Sequence, residues 1–222
     1  MYGSALNLAA IGVWAFLAAG PSTATENDTT LGTSPASSSW QLDFNFHDPQ
    51  RISVQLPGHE RAATYWYVLF TVTNNTGQDA EFYPSFRLVT DTLQVVEGGA
   101  NIDPRVYGAI AARHKKEYPF FAPPAKITGP LLQGEDNART SAAVFRTFDP
   151  SANGFTIYVG GLSSEISRVP NPDFQDKTEE SETNQRFFIL RKTLAVTYKL
   201  PGDVLTQSRA TPVRDKREWV MR

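Results

Sequence analysis

The chain contains no cysteine and only three histidines among its 222 residues. Without cysteine it cannot form a disulfide, a thiolate metal site, an iron–sulfur cluster or a lipid anchor on a thiol. It also lacks an excess of charge of one sign, because the formal net charge is −2. A nucleic-acid surface needs a strong positive field, so we expect no nucleic-acid partner.

Motifs of catalysis and cofactor binding are equally scarce. The glycine pairs at 98–99 and 160–161 stand alone and form no phosphate loop, and no serine lies in a Gly-x-Ser-x-Gly context. His47, His59 and His114 lie in different segments and have no metal-ligand spacing. We therefore predict no catalytic residue, no metal ion and no other cofactor, and we expect that the protein is not an enzyme.

The N-terminal segment is apolar. Residues 5–20 carry no charge, Pro21 and small residues follow, and the first basic residue of the chain is Arg51. This composition predicts a signal peptide over 1–24, cleaved after Ala24, and an exported protein that is periplasmic, envelope-associated or secreted. The apolar run is short for a bilayer span of roughly 20 residues, so no stable membrane span is expected after cleavage.

Two features of this segment leave alternatives open. Residues 1–4 contain no Lys or Arg, so either the signal is atypical or the chain starts further upstream, and an uncleaved anchor is the alternative to cleavage. Residues 25–39 are small, polar and interrupted by proline. Because such a composition cannot bury enough apolar surface to order itself, we predict a flexible linker there.

The rest of the chain, residues 40–222, is predicted to be one domain. Residues 40–46 alternate between apolar and polar side chains, which indicates a half-buried strand. Residues 65–74 are apolar on both faces, which is typical of a central strand covered on both sides. The polar segment 74–79 is rich in Asn and Gly, so it predicts a hairpin turn to a partner strand over 80–90, where Pro84 marks a bulge or an edge.

One helix is predicted within this domain. Asp103 is a good N-cap and Pro104 a good first-turn residue. Cationic residues follow late in the segment, where they suit the helix dipole, and Pro119 ends it. We expect about three turns of helix docked on a sheet.

The remaining segments predict short strands separated by turns. They are 125–132, 141–148, 155–162, 186–200 and a final strand near the C-terminus, with an exposed acidic loop over 171–186. The fold class is therefore mainly β: an antiparallel, immunoglobulin-like β-sandwich with one short inserted α-helix.

Several segments of the domain carry a resemblance to known proteins. They include "WQLDFNFHDPQRI" at 40–52, "YWYVLFTVTNNTG" at 65–77, "DPRVYGAIAARHKKE" at 103–117 and "LRKTLAVTYKLPGD" at 190–203. Through them the chain resembles a group of exported bacterial proteins with no assigned function. The resemblance implies a secreted or envelope-associated, immunoglobulin-like sandwich, and it supplies no catalytic residues.

Three functions remain as hypotheses. The favoured one is a non-catalytic exported β-sandwich that acts through its surface or edge strands, as an envelope or interaction module with a protein or cell-envelope partner. The first alternative is a carbohydrate- or peptide-binding domain, in which Tyr65, Trp66, Tyr67 and Tyr83 form a stacking platform, although strand aromatics of this kind are more often core. The second is a hydrolase with paired carboxylates, for which Asp43 and Asp91 stand beside aromatic residues.

Overall fold

The computed structural model of the chain describes residues 39–202 and 210–222. The predicted signal peptide, and the predicted linker up to residue 38, lie outside the described residues. The elements in chain order are β1 (Asp43–Phe46), β2 (Gln50–Val54), β3 (Ala63–Thr73), β4 (Ala80–Phe82), β5 (Ser85–Thr90), β6 (Val95–Glu97), α1 (Pro104–His114), α2 (Pro124–Ile127), β7 (Gly129–Leu131), β8 (Arg139–Arg146), β9 (Gly154–Gly160), β10 (Ile166–Pro170), β11 (Phe187–Lys199) and β12 (Val213–Met221).

The first sheet is built around the long strand β3. Strands β1 and β2 pair with successive halves of β3, and β8 pairs with it over residues 65–72. Because β8 overlaps both of those halves in register, it lies on the opposite edge of β3. The short β4 and β7 pair with each other in a separate two-stranded sheet.

The second sheet is built around β11. Its order is β10-β11-β9-β5-β6, and β12 pairs with β11 as well. All pairings in the three sheets are antiparallel. The prediction of a mainly β, antiparallel β-sandwich is confirmed.

The main core lies between the first and second sheets. Phe44 and Phe70 of the first sheet meet Phe86 of the second, with ring centroids 5.0–6.4 Å apart. These rings are buried with the other inward side chains of β3, β9 and β11, and Trp40 packs against the same cluster. The apolar residues that alternate along the strands therefore point into the core between the two sheets, as the sequence predicted.

Helix α1 covers the outer face of the first sheet. Val106 and Ile110 are fully buried against Tyr65, Tyr67 and other outward side chains of β3. The helix begins as predicted, because the Asp103 carboxylate accepts a hydrogen bond from the backbone N–H of Arg105 at 2.8 Å. Strand β3 is thus covered on both faces, as its sequence indicated.

The hairpin predicted at 74–79 is wrong. Strand β3 does not pair with β4 or β5; β4 pairs with β7, and β5 pairs with β6 and β9. The Asn74 side chain is fully buried and donates to the carbonyls of Gln78 and Leu131, both at 2.8 Å. This buried amide directs the chain away from β3, and Pro84 then separates β4 from β5.

The prediction of one strand over 125–132 is also wrong in its first half. Residues Pro124–Ile127 form the short helix α2, and only Gly129–Leu131 are extended. Proline at the first helical position favours such a turn of helix, and this signal outweighed the apolar residues that suggested a strand. The domain therefore has a second short helix beside the one predicted.

Within residues 39–202 and 210–222, the helices are all too short or too polar to cross a bilayer.

Candidate functional site

The four aromatic candidates from the sequence do not share a surface. Tyr65 and Tyr67 are buried under helix α1, whereas Trp66 is buried in the main core on the opposite face of the same strand. Tyr83 is 62% exposed but lies after β4, outside both clusters. Alternation along β3 sends neighbouring side chains to opposite faces, so Tyr65, Trp66 and Tyr67 belong to the core and form no common stacking platform with Tyr83.

The paired-carboxylate candidates are likewise separated. Asp43 accepts a hydrogen bond from the Asn75 side chain at 2.8 Å and lines a surface cleft beside β1. Asp91 accepts hydrogen bonds from the backbone N–H of Asn153 and lines a different depression on the second sheet. The two carboxylates therefore do not face each other across one cleft, as the two-carboxylate mechanism requires.

Two of the three histidines converge, which their sequence spacing did not suggest. His47 follows β1, His114 ends α1, and each lies against Tyr118: His47 hydrogen-bonds to the Tyr118 hydroxyl, and the rings of His114 and Tyr118 are 6.4 Å apart. His114 Nε2 also lies 2.9 Å from the Tyr67 hydroxyl. The third histidine, His59, lies in an exposed turn after β2.

The Tyr67 hydroxyl organises this cluster. It donates its single proton to Gln50 Oε1 at 2.9 Å and accepts a hydrogen bond from Arg113 Nη1 at 3.2 Å. Because that proton is already used, His114 Nε2 must be the donor in its contact with Tyr67. Burial lowers the pKa of His114 below its ordinary value, and the charge of Arg113 and the proximity of His47 act in the same direction, while Glu117 opposes them. The surroundings of His114, between helix α1 and the first sheet, therefore favour its neutral form.

We expect the free energy of unfolding to fall as the pH drops below the ordinary histidine pKa of about 6.5. The pKa of His114 is lower in the folded than in the unfolded chain, so the unfolded chain takes up the proton first, and the stabilisation is lost between the two pKa values. Urea unfolding of the wild type and of His114→Gln between pH 7.5 and 5 measures the slope, which should be shallower in the variant. His59→Gln, outside the cluster, is the control and should keep the wild-type slope.

The most unusual surface of the described residues is a two-stranded ribbon. Strand β10 pairs only with the first part of β11, over Phe187–Arg191, whereas β11 pairs with β12 from Lys192 onward and with β9 from Leu194 onward. The ribbon thus extends past the strands that flank it. We call residues 166–191, namely β10, the connecting loop and the first part of β11, the projecting ribbon.

The projecting ribbon exposes apolar side chains on both faces. Cross-strand partners share a face, so Val169 lies beside Phe188 on one face, and Ile166 lies on the other with Phe187 and Ile189. Each of these five side chains is at least 39% exposed, and Phe188 is 46% exposed. They make up five of the eleven large exposed hydrophobic side chains of the described residues. Such clustering, unlike scattered exposed hydrophobic side chains, is typical of surfaces that contact another molecule.

The loop at the end of the ribbon is ordered by its own hydrogen bonds. The Asn184 side chain donates to the carbonyls of Gln175, Thr178 and Glu179, and its oxygen accepts from the Gln175 backbone N–H. The Arg186 guanidinium lies 4.6 Å from the Phe174 ring. A loop held in this way loses less conformational freedom on binding than a loose one.

Charge is distributed unevenly along the projecting ribbon. Its loop, 171–186, which we call the acidic tip, carries five carboxylates against two basic side chains. Nearer the sandwich, Arg191 at the end of the ribbon and Arg168 at the middle of β10 are exposed on the face that also carries Ile189. We call these two arginines the basic base.

The other long exposed edge is protected in a different way. Strand β12 carries five consecutive charged residues over 214–218, and Lys216 and Arg214 form ion pairs with Glu218 and Asp48. Charged residues of this kind discourage the pairing of an edge with another strand. The projecting ribbon has apolar residues at the corresponding positions, so the two edges differ in their suitability for docking.

The sequence predicted the loop and one of the two strands of the projecting ribbon. It predicted the exposed acidic loop and the strand after it, and the structure confirms both. It missed β10, because "ISRVP" at 166–170 is short and ends in proline. The alternation of Ile166 and Arg168 opposite Ile189 and Arg191 was the signal that could have revealed a hairpin.

Comparisons of the chain with protein-family models, with curated proteins and with solved structures each gave no match. The function is therefore argued from the residues themselves.

Proposed function

We propose that the protein is a non-catalytic, exported β-sandwich that acts as an interaction module and binds a protein partner through the projecting ribbon. The single observation that carries the proposal is the concentration of exposed apolar side chains on a ribbon that extends past its flanking strands. Export is supported by the apolar leader over residues 5–20 and by the resemblance to exported bacterial proteins.

The free energy gained by burying the apolar side chains of the ribbon is too small to account for stable binding by itself. Full burial of one Val, Ile or Phe side chain contributes about 1.5–3 kcal/mol, and the five ribbon side chains are roughly half-exposed, so each adds about 1 kcal/mol. Loss of translational and rotational freedom on association costs about 4–15 kcal/mol. Apolar burial therefore needs further support from hydrogen bonds at the ribbon edge or from charge.

The charges of the ribbon favour a partner with basic groups. The acidic tip presents Asp173, Glu179 and Glu182 to solvent beside the apolar strands. Opposite charge on the partner would steer its approach and fix its orientation. An extended strand on that partner can also pair with the free edge of β10, since β10 pairs only with β11 among the described strands.

Site-specific photocrosslinking in the producing cells tests this function. We expect p-benzoylphenylalanine in place of Phe187, an exposed side chain of the ribbon, to give a discrete crosslinked protein of defined mass. The matched control carries the same group in place of Phe120, which is 89% exposed but lies away from the ribbon. Identical patterns at both positions, or no crosslink at position 187, would contradict the proposal.

A further inference from the structure

The projecting ribbon carries opposite charges at its two ends. The basic base, Arg168 and Arg191, lies on the sandwich side of Phe187, and the acidic tip lies beyond Pro170 and Phe187. From the sandwich outward, one face carries Arg191 beside Ile166, then Arg168 beside Ile189, and then Phe187 beside Pro170, before the acidic loop begins. The ribbon is thus basic and apolar near the sandwich and acidic at its tip, so its charges complement those of a second ribbon that lies antiparallel to it.

A two-fold axis produces that antiparallel arrangement. In a symmetric dimer the same patch is used on both copies, so a residue near the base of one copy meets a residue near the tip of the other. Each acidic tip would face the basic base of the other copy, which gives two such contacts per dimer, and Phe187, between the arginines and the tip, would lie near the centre. A parallel arrangement would instead oppose like charges, which disfavours it.

We propose that the partner of the projecting ribbon is a second copy of this chain, docked antiparallel through the face that bears Ile166, Phe187 and Ile189. The inference rests on the proposed function and names its partner. Arg168 and Arg191 form no ion pair within the described residues and are exposed, so they are available to the tip of the other copy.

A charge exchange between two variants tests the arrangement. The tip variant carries Glu179→Lys and Glu182→Lys, and the base variant carries Arg168→Glu and Arg191→Glu. Each variant alone opposes like charges twice, so its dimer dissociation constant should rise about tenfold or more. An equimolar mixture places the reversed tip against the reversed base and the native tip against the native base, so it should form a heterodimer of wild-type affinity.

Sedimentation velocity at low ionic strength measures these affinities, because salt screens exposed charges. The four substituted residues are exposed, and circular dichroism with thermal melting should show that both variants fold like the wild type. A mixture that stays monomeric overturns the inference, as does a wild type that remains monomeric at all concentrations.

Crosslinking from position 187, which lies on the docking face, separates the two proposals. A product of twice the chain mass supports the dimer. A product with a different protein overturns the dimer but leaves the interaction module standing. A crosslink within one chain shows that another segment of the same chain covers the ribbon, and it overturns both.

Discussion

Replacing Phe70 by alanine is expected to lower the free energy of unfolding by about 3–5 kcal/mol. Phe70 is 1% exposed, and its ring lies 5.2 Å from that of Phe44 in the first sheet and 5.0 Å from that of Phe86 in the second. Truncation removes the transfer free energy of the ring and leaves a cavity between the two layers, which well-packed neighbours can fill only in part. The total free energy of unfolding of a domain is about 5–15 kcal/mol, so the loss is a large share of the stability.

The matched control is the same substitution at Phe120. That ring is 89% exposed, so Phe120→Ala should change the free energy of unfolding by no more than about 0.5 kcal/mol. Urea titration followed by tryptophan fluorescence measures both variants, and the denaturant slope should stay constant if only stability has changed. Similar midpoints for the two variants would show that the two sheets do not meet at Phe70.

The layers of the fold were predictable because burial of one face of a strand requires apolar residues at alternate positions, which is a local pattern in the sequence. Leu42 and Phe44 point into the core while Asp43 and Asn45 are exposed, so a period of two is visible in the sequence itself. Helix α1 was predictable for the same reason, since an N-cap and a proline are local signals. These elements follow from interactions that neighbouring residues make along one strand or one turn.

The pairing of strands was less predictable, because it depends on contacts that are distant in sequence. The segment 74–79 has the composition of a hairpin, but Asn74 bonds to Leu131, 57 positions away, and the chain leaves the sheet. The convergence of His47 and His114 on Tyr118 depends likewise on how α1 lies over β3. Turn composition indicates where a chain bends and does not indicate which strand it meets next.

The exposure of the apolar side chains on the projecting ribbon was not predictable, for a further physical reason. Sequence patterns report which side chains prefer to be buried, so Phe187, Phe188 and Ile189 were interpreted as part of one strand of the sandwich. Only the register shows that this part of β11 extends past β9 and β12 and keeps those side chains exposed. An apolar strand residue in solvent contradicts the usual preference, and such contradictions concentrate at functional surfaces.

Replacing Gly161 by alanine is expected to destabilise the fold and to disturb the root of the projecting ribbon. Gly161 lies between β9 and β10 with a φ of +81°, and a Cβ there would stand 2.2 Å from the carbonyl oxygen of Tyr83. The left-handed backbone costs a non-glycine residue about 1–2 kcal/mol. Because the clashing atom belongs to the backbone, one of the two segments must also move, and overpacking of this kind adds about 1–3 kcal/mol.

Gly77→Ala isolates the first of these two costs. Gly77 has a φ of +87°, but no atom lies within 4 Å of the Cβ that alanine would add. The difference in unfolding free energy between the two variants therefore reports the packing of Gly161 against Tyr83 alone. If that packing fixes the direction in which β10 leaves the sandwich, Gly161→Ala should also weaken self-association, and Gly77→Ala should not. Both variants are compared under conditions in which they are fully folded. Equal dissociation constants for the two variants would show that the ribbon is oriented by its strand pairing with β11 and not by the turn that precedes it.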